Sequence, residues 1–214
     1  MKRTNQYVLG AVAVVFILVA GFMSFSPVMA HNKLKEKQLV FHDAMRQLWE
    51  DHITWTRLYI ISAAEDLPDK ALTADRLLQN QTDIGNAVKP FYGEAAGNQL
   101  TALLRDHILI AAEAIDAAKS GDNGAFEDAR ERWYDNADEI AAFLNAANPD
   151  EWPLDEMQQM MKSHLDLTLE EASARLGGDY AADIAAYDKV HSDILHMADM
   201  LSDGILHQFP KAFK

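Results

Sequence analysis

A six-residue pattern occurs three times in the chain, and its spacing restricts the folds open to it. The copies are Leu48-Trp49-Glu50-Asp51-His52-Ile53, Leu103-Leu104-Arg105-Asp106-His107-Ile108 and Met160-Met161-Lys162-Ser163-His164-Leu165. A second pattern follows each copy: Gln81-Thr82-Asp83, Asn136-Ala137-Asp138 and His191-Ser192-Asp193. His52 and His107 are 55 residues apart, as are Gln81 and Asn136, and Asn136 and His191, whereas His107 and His164 are 57 apart. A period of this length holds one pair of helices. A lone pair cannot bury its apolar faces, so the copies must pack on one another.

The residues around each histidine have helical periodicity. At −4, −3 and +3 they are apolar in all three copies, and at +4 they are Thr56, Ala111 and Thr168. At 100° per residue these positions share the histidine's face, which places His52, His107 and His164 inward. Gln81, Asn136 and His191 fall inward by the same test. Asp83, Asp138 and Asp193, two residues on, flank the seam. No segment alternates with period two, so no sheet is expected.

Punctuation divides the chain into three hairpins, at about 39–92, 94–147 and 154–207. Leu67-Pro68-Asp69, Ser120-Gly121-Asp122-Asn123-Gly124 and Gly177-Gly178-Asp179 supply the turns within them. Lys89-Pro90 with Tyr92-Gly93, and Asn148-Pro149-Asp150 with Trp152-Pro153, separate them. Thr73 is the expected cap of the second helix. The expectation is an all-α fold, a helical bundle of three tandem αα-hairpins forming one domain over 39–210. It has six helical segments, or a four-helix core with additions.

Before this body come Lys2, Arg3 and an apolar run from Tyr7 to Phe25. The run is long enough for a transmembrane anchor. Val28-Met29-Ala30 also fits a signal-peptidase site, so residues 1–30 read as a cleaved signal peptide or a retained anchor. Either puts the body outside the cytoplasm, membrane-anchored or secreted, with the membrane as partner if the segment is kept. Residues 31–38 read as a polar linker.

Composition narrows the function. The formal charge is −14, and Lys2 and Arg3 are the only charges in the first thirty residues, so the body is more acidic still. Such a surface repels phosphate backbones and argues against nucleic-acid binding. There is no cysteine, which removes disulfides, thiolate catalysis and cysteine-bound metal. Phosphate-loop, dinucleotide, nucleophile-elbow and His-Glu-x-x-His motifs are absent from the sequence.

The polar residues on the inward faces are the functional lead. His52 and Gln81 are 29 residues apart, as are His107 and Asn136, while His164 and His191 are 27 apart. Across a short turn these spacings set each histidine level with its partner. One reading is structural: amides satisfy buried imidazoles and fix helix register. The other is a metal or small-ligand site. His52, His107 and His164 converge, His191 and Asp193 join them, and the ion is zinc, copper or iron. In that reading Gln81, Asn136, Asp83 and Asp138 are supporting polar groups. Met157, Met160, Met161 and His196 are candidate copper ligands, since thioethers with imidazoles suit copper(I), although plain core filling is the stronger account of the methionines. A metal-dependent enzyme is a further alternative. The last helix carries Asp188-x-x-His191 and Asp193-x-x-His196 but no Glu-x-x-His, so it lacks the ligand set of a di-iron bundle.

Trp55-Thr56-Arg57, Arg76 through Gly85, Lys89-Pro90-Phe91-Tyr92-Gly93 and Gln208-Phe209-Pro210 resemble segments of a family of small exported helical proteins of bacteria and some archaea. The resemblance covers roughly residues 37–213. It implies an exported helical protein and assigns no functional residue. Members carry the labels glycosyltransferase and acetylglutamate kinase. Both imply an α/β nucleotide-binding domain, which the helical periodicity here contradicts.

Overall fold

The computed structural model describes the backbone of residues 27–214 and the side chains from residue 35 onward. The expectation of a leader or anchor falls almost wholly on residues outside that range. Among the described residues no helix is long and apolar enough to cross a membrane.

Five helices form a bundle, and the described residues contain no sheet: α1 (Pro27–Ala64), α2 (Lys70–Ser120), α3 (Asn123–Ala147), α4 (Leu154–Leu176) and α5 (Tyr180–Gln208). Helix α1 packs on α2, α2 on α3, α3 on α4 and α4 on α5, and α5 closes the ring against α1. The polar stretch 31–38, expected as a linker, belongs to α1. Leu39 and Val40, at the start of the first hairpin, are exposed.

Helix α2 is two helices joined without a loop. Gly93 alone has non-helical angles (φ 86°, ψ 169°), a region that favours glycine. The halves fold back antiparallel, and Arg105 Nη1 donates to the Leu78 carbonyl at 3.2 Å. They cross at Gly85 and Gly97, where a Cβ on either would strike the other's carbonyl. Counting the break, the helical segments number six among the described residues.

The turns follow local chemistry. Asp122 and Asp179 accept from the amides of Ala125 and Ala182, each at 3.0 Å, capping α3 and α5. Thr73 does not cap α2. Its hydroxyl donates back to the Lys70 carbonyl at 2.9 Å, because α2 already begins at Lys70.

The core has two apolar clusters. The larger runs from Met45, Trp49 and Ile53 through Leu104, Trp133 and Ile140 to Met161, Ile194 and Leu201. The smaller holds Tyr59, Ile60, Leu77, Ile108 and Ile115. His52, His107 and His164, each 3–4% exposed, lie between them. In register with the repeat, Trp49, Leu104 and Met161 form the layer one turn earlier. Thr56, Ala111 and Thr168 form the layer one turn later, and Ile60, Ile115 and Ala172 the next.

Candidate functional site in the histidine layer

Three helical segments deliver one imidazole each to a common level. The ring centroids of His52 and His164 are 5.7 Å apart, and those of His107 and His164 are 6.4 Å apart. The inward periodicity of the repeat therefore places these three as expected. Their hydrogen bonding differs sharply.

His107 is saturated. Its Nε2 receives the indole N–H of Trp133 at 3.1 Å. An indole only donates, so Nε2 is the acceptor nitrogen and the proton sits on Nδ1. That Nδ1 donates to Asn136 Oδ1 at 2.8 Å, and Asn136 Nδ2 donates to the Leu103 carbonyl at 3.1 Å. No lone pair of His107 is left for a ligand.

His52 is half-satisfied. Gln81 Nε2 lies 3.2 Å from its Nδ1. The same amide nitrogen faces the Leu77 carbonyl at 2.8 Å and Asn80 Oδ1 at 3.1 Å. Two hydrogens cannot serve three acceptors, and Gln81 Oε1 is buried without a partner. His164 has least: its Nδ1 is buried with no partner.

All three imidazoles are held neutral. Burial is the main cause, lowering His52 to about 3 and His107 to about 4. The hydrogen bonds from Gln81 and Asn136 oppose the shift. His164 is lowered well below 6.5 by burial, then by the neighbouring His52 and His107.

His191 is not His164's partner. It is partly exposed on α5, with Nε2 3.2 Å from Glu50 Oε1 of α1. The inward stripe of α5 is Val190, Ile194, Met197 and Leu201. His191 lies one residue, about 100°, off that stripe. The 27-residue spacing marks this difference, because Asp193 stands at 29. Asp193 is half-buried and accepts from Ser163 Oγ at 3.0 Å, and burial raises its pKa. Asp83 accepts from Gln79 and Asp138 from Gln158, both away from the layer. Met157 and Met161 are buried, Met160 is partly buried, and His196 is exposed.

Among the described residues, no set of three or more histidine, aspartate or glutamate side chains is arranged to hold a metal ion. For the histidine layer the reason is visible in His107, whose two nitrogens are both engaged.

Two voids border the layer. On the turn side is a cavity of about 50 Å³, lined by the three histidines, Thr56, Ala111, Thr168 and the apolar layer beyond. It exists because the layer one turn after the histidines is built of two threonines and an alanine. Thr56 and Thr168 turn their hydroxyl hydrogens to the carbonyls of His52 and His164, each at 2.8 Å, leaving methyl groups and oxygen lone pairs. On the other side is a void of about 10 Å³ lined by Trp49, His52, Leu104, His107, Met161, His164 and Met197.

Trp133 is the group the sequence did not single out. It lies one turn before Asn136, and that spacing is the signal for a shared partner. A buried ion cluster was also not anticipated. Arg57 binds Glu171 at 2.7 Å and Asp183 at 2.8 Å, and its guanidinium lies 4.5 Å from the Tyr187 ring centre. Burial raises Glu171 to about 7; the Arg57 guanidinium opposes the shift, and the neighbouring Asp183 carboxylate adds to it.

Compared with protein-family models, curated proteins and solved structures, the chain matches none.

Proposed function

We propose that this protein is an extracytoplasmic binding protein for a small neutral molecule with an apolar body and one hydrogen-bonding head. Its site is the cavity above the histidine layer. The observation that carries this reading is a cavity of about 50 Å³ whose floor is three buried, neutral imidazoles, one of them without a partner. Natural cores are close-packed, so a void beside unspent hydrogen-bonding capacity needs an explanation. A ligand head reaching His164 supplies one. The surrounding Ile60, Leu77, Ile108 and Ile115 suit an apolar body and exclude an ion.

The bundle is three tandem αα-hairpins in origin, the second and third joined to their predecessors at Gly93 and at 148–153. Lys2, Arg3 and the apolar run support a body outside the cytoplasm. The resemblance to small exported helical proteins agrees with that placement.

The test is a titration of the full chain with 1-butanol, and with xenon, followed by the ring resonances of His164 and Tyr59. Saturable shifts are expected, and Ala111→Leu, which fills the cavity, abolishes them. Shifts that never saturate, or that survive Ala111→Leu, defeat the reading.

A second reading is favoured by His107. Its closed network with Asn136 and Trp133 is what a purely structural layer requires, and such a layer fixes how α2 and α3 sit against each other. That reading expects no ligand at all.

A further inference from the structure

The void beneath the histidine layer has a different chemistry from the cavity above it. Its walls include two thioethers, Met161 on α4 and Met197 on α5, both 5% exposed or less. His164, 4% exposed, is a third wall, and its Nδ1 has no hydrogen-bond partner. Trp49 forms another wall, its ring centre 5.8 Å from that of His52, and its indole nitrogen is also without a partner. The volume, about 10 Å³, is that of one small occupant.

We propose that this void is a copper(I) site, with His164 and the sulfurs of Met161 and Met197 as ligands. Uncharged thioether and imidazole donors are the set that selects copper(I) over zinc, calcium or magnesium. A monovalent ion among neutral ligands carries the smallest charge into the core. The acidic body raises the local concentration of cations.

The repeat shows why the site has one position. Trp49, Leu104 and Met161 hold the same place, one turn before their histidines. Only the third copy puts a sulfur there. Only the third histidine is unpaired, and only α5 brings a second sulfur opposite. Saturation removes His107 as a ligand, and its carbon neighbour Leu104 offers nothing to a metal. The ordinary occupant of so small a void is a water bridging the Trp49 indole N–H and His164, and that is the outcome the experiment must separate.

The site uses the same His164 ring as the cavity above it but not that cavity's volume, so filling the cavity tests the two readings separately. The experiment titrates the full chain, in mild detergent and without oxygen, with copper(I) held by a colorimetric chelator. One equivalent should move from chelator to protein, with quenching of tryptophan fluorescence. Met161→Leu and Met197→Leu keep the core volume and remove the sulfur. Each should lose at least the ~10–100-fold in affinity that even outer-shell changes cost at metal sites. The apo-protein's unfolding midpoint should stay nearly unchanged. Ala111→Leu should bind copper(I) as the parent does, even where it abolishes alkanol binding. The proposal is overturned if no copper leaves the chelator, or if both leucine variants bind as tightly as the parent, which leaves water as the occupant.

Discussion

His107 and His164 stand in matching places on their helices and share one core layer, yet one has every nitrogen bonded and the other has a bare Nδ1. The difference lies in the facing helix. Helix α3 presents Asn136 and Trp133, three residues apart on one face, and together they satisfy both sides of the ring. Helix α5 presents Val190, Ile194 and Met197, which satisfy neither. A duplicated pattern carries position from copy to copy. It does not carry partnership, because that depends on a second helix whose register shifts with each turn. His52 lies between the extremes, sharing one overcommitted amide. Where hydrogen bonding is complete the ring is part of the scaffold. Where it is absent the ring is available.

The strongest way to strain this comparison is acid. Unfolded histidines titrate near 6.5, whereas the folded values are lowered, to about 3 for His52 and about 4 for His107. As pH falls the unfolded chain therefore takes up protons first. The histidine contribution is full above about 6.5 and is lost progressively below it, at up to ~1.4 kcal/mol per pH unit for each ring. Glu171 works the other way. Its folded pKa of about 7 exceeds the ordinary 4.5, so its contribution is full below 4.5 and is lost as pH rises through 7. Asp193, also raised by burial, acts in the same sense as Glu171, and three rings outweigh two carboxyls. Urea midpoints should fall steeply from pH 6.5 to 5, and a flat profile there would show that the layer is not buried and neutral.

Next in size is Asn136→Leu. It leaves the Nδ1–H of His107 buried and unpaired, costing about 1–3 kcal/mol, and takes the second hydrogen bond from the Leu103 carbonyl, which keeps its helical one, costing about 0.5–1.5 kcal/mol. A loss of roughly 1.5–4.5 kcal/mol in urea unfolding is expected. A loss under about 1 kcal/mol would mean that water reaches the ring and that saturation is not what holds this part of the layer.

Much of this was legible in the sequence, for reasons that also set its limits. Periodicity around the repeated histidines is a local property, so the inward direction of His52, His107 and His164 follows from a few neighbouring residues. The partners Gln81 and Asn136 follow from counting 29 residues across a short turn. Counting failed at His191, where two fewer residues turn the side chain from the core to Glu50. It also gave no warning of Trp133, because an indole reads equally well as packing. Residues 31–38 looked like a linker because they lack an apolar face, yet a helix needs such a face only where it is covered. The cavity was latent in Thr56, Ala111 and Thr168. Their small size was visible, but the space they leave depends on how closely α1, α2 and α4 approach.

The smallest expected effect is the most discriminating. His164→Leu replaces an unpaired ring with an apolar side chain of similar volume and different shape. Removing a polar group that has no partner gives up no hydrogen bond and relieves its desolvation, while the change of shape costs up to about 1–2 kcal/mol, so the net change should lie within about 1 kcal/mol of zero. The same change made at His107 strands Asn136 and Trp133 and should cost about as much as Asn136→Leu. The pH profile adds an independent measure. Deleting His164 should remove about one of the three protons that the unfolded histidines take up between pH 6.5 and 5, so the histidine part of the slope of stability against pH should fall by about a third. If His164→Leu proves as damaging as His107→Leu, the bare Nδ1 has a partner in solution, and the contrast between the two rings disappears. If stability is unchanged and the slope falls, the third ring is a neutral, unspent imidazole, kept at no gain to the fold.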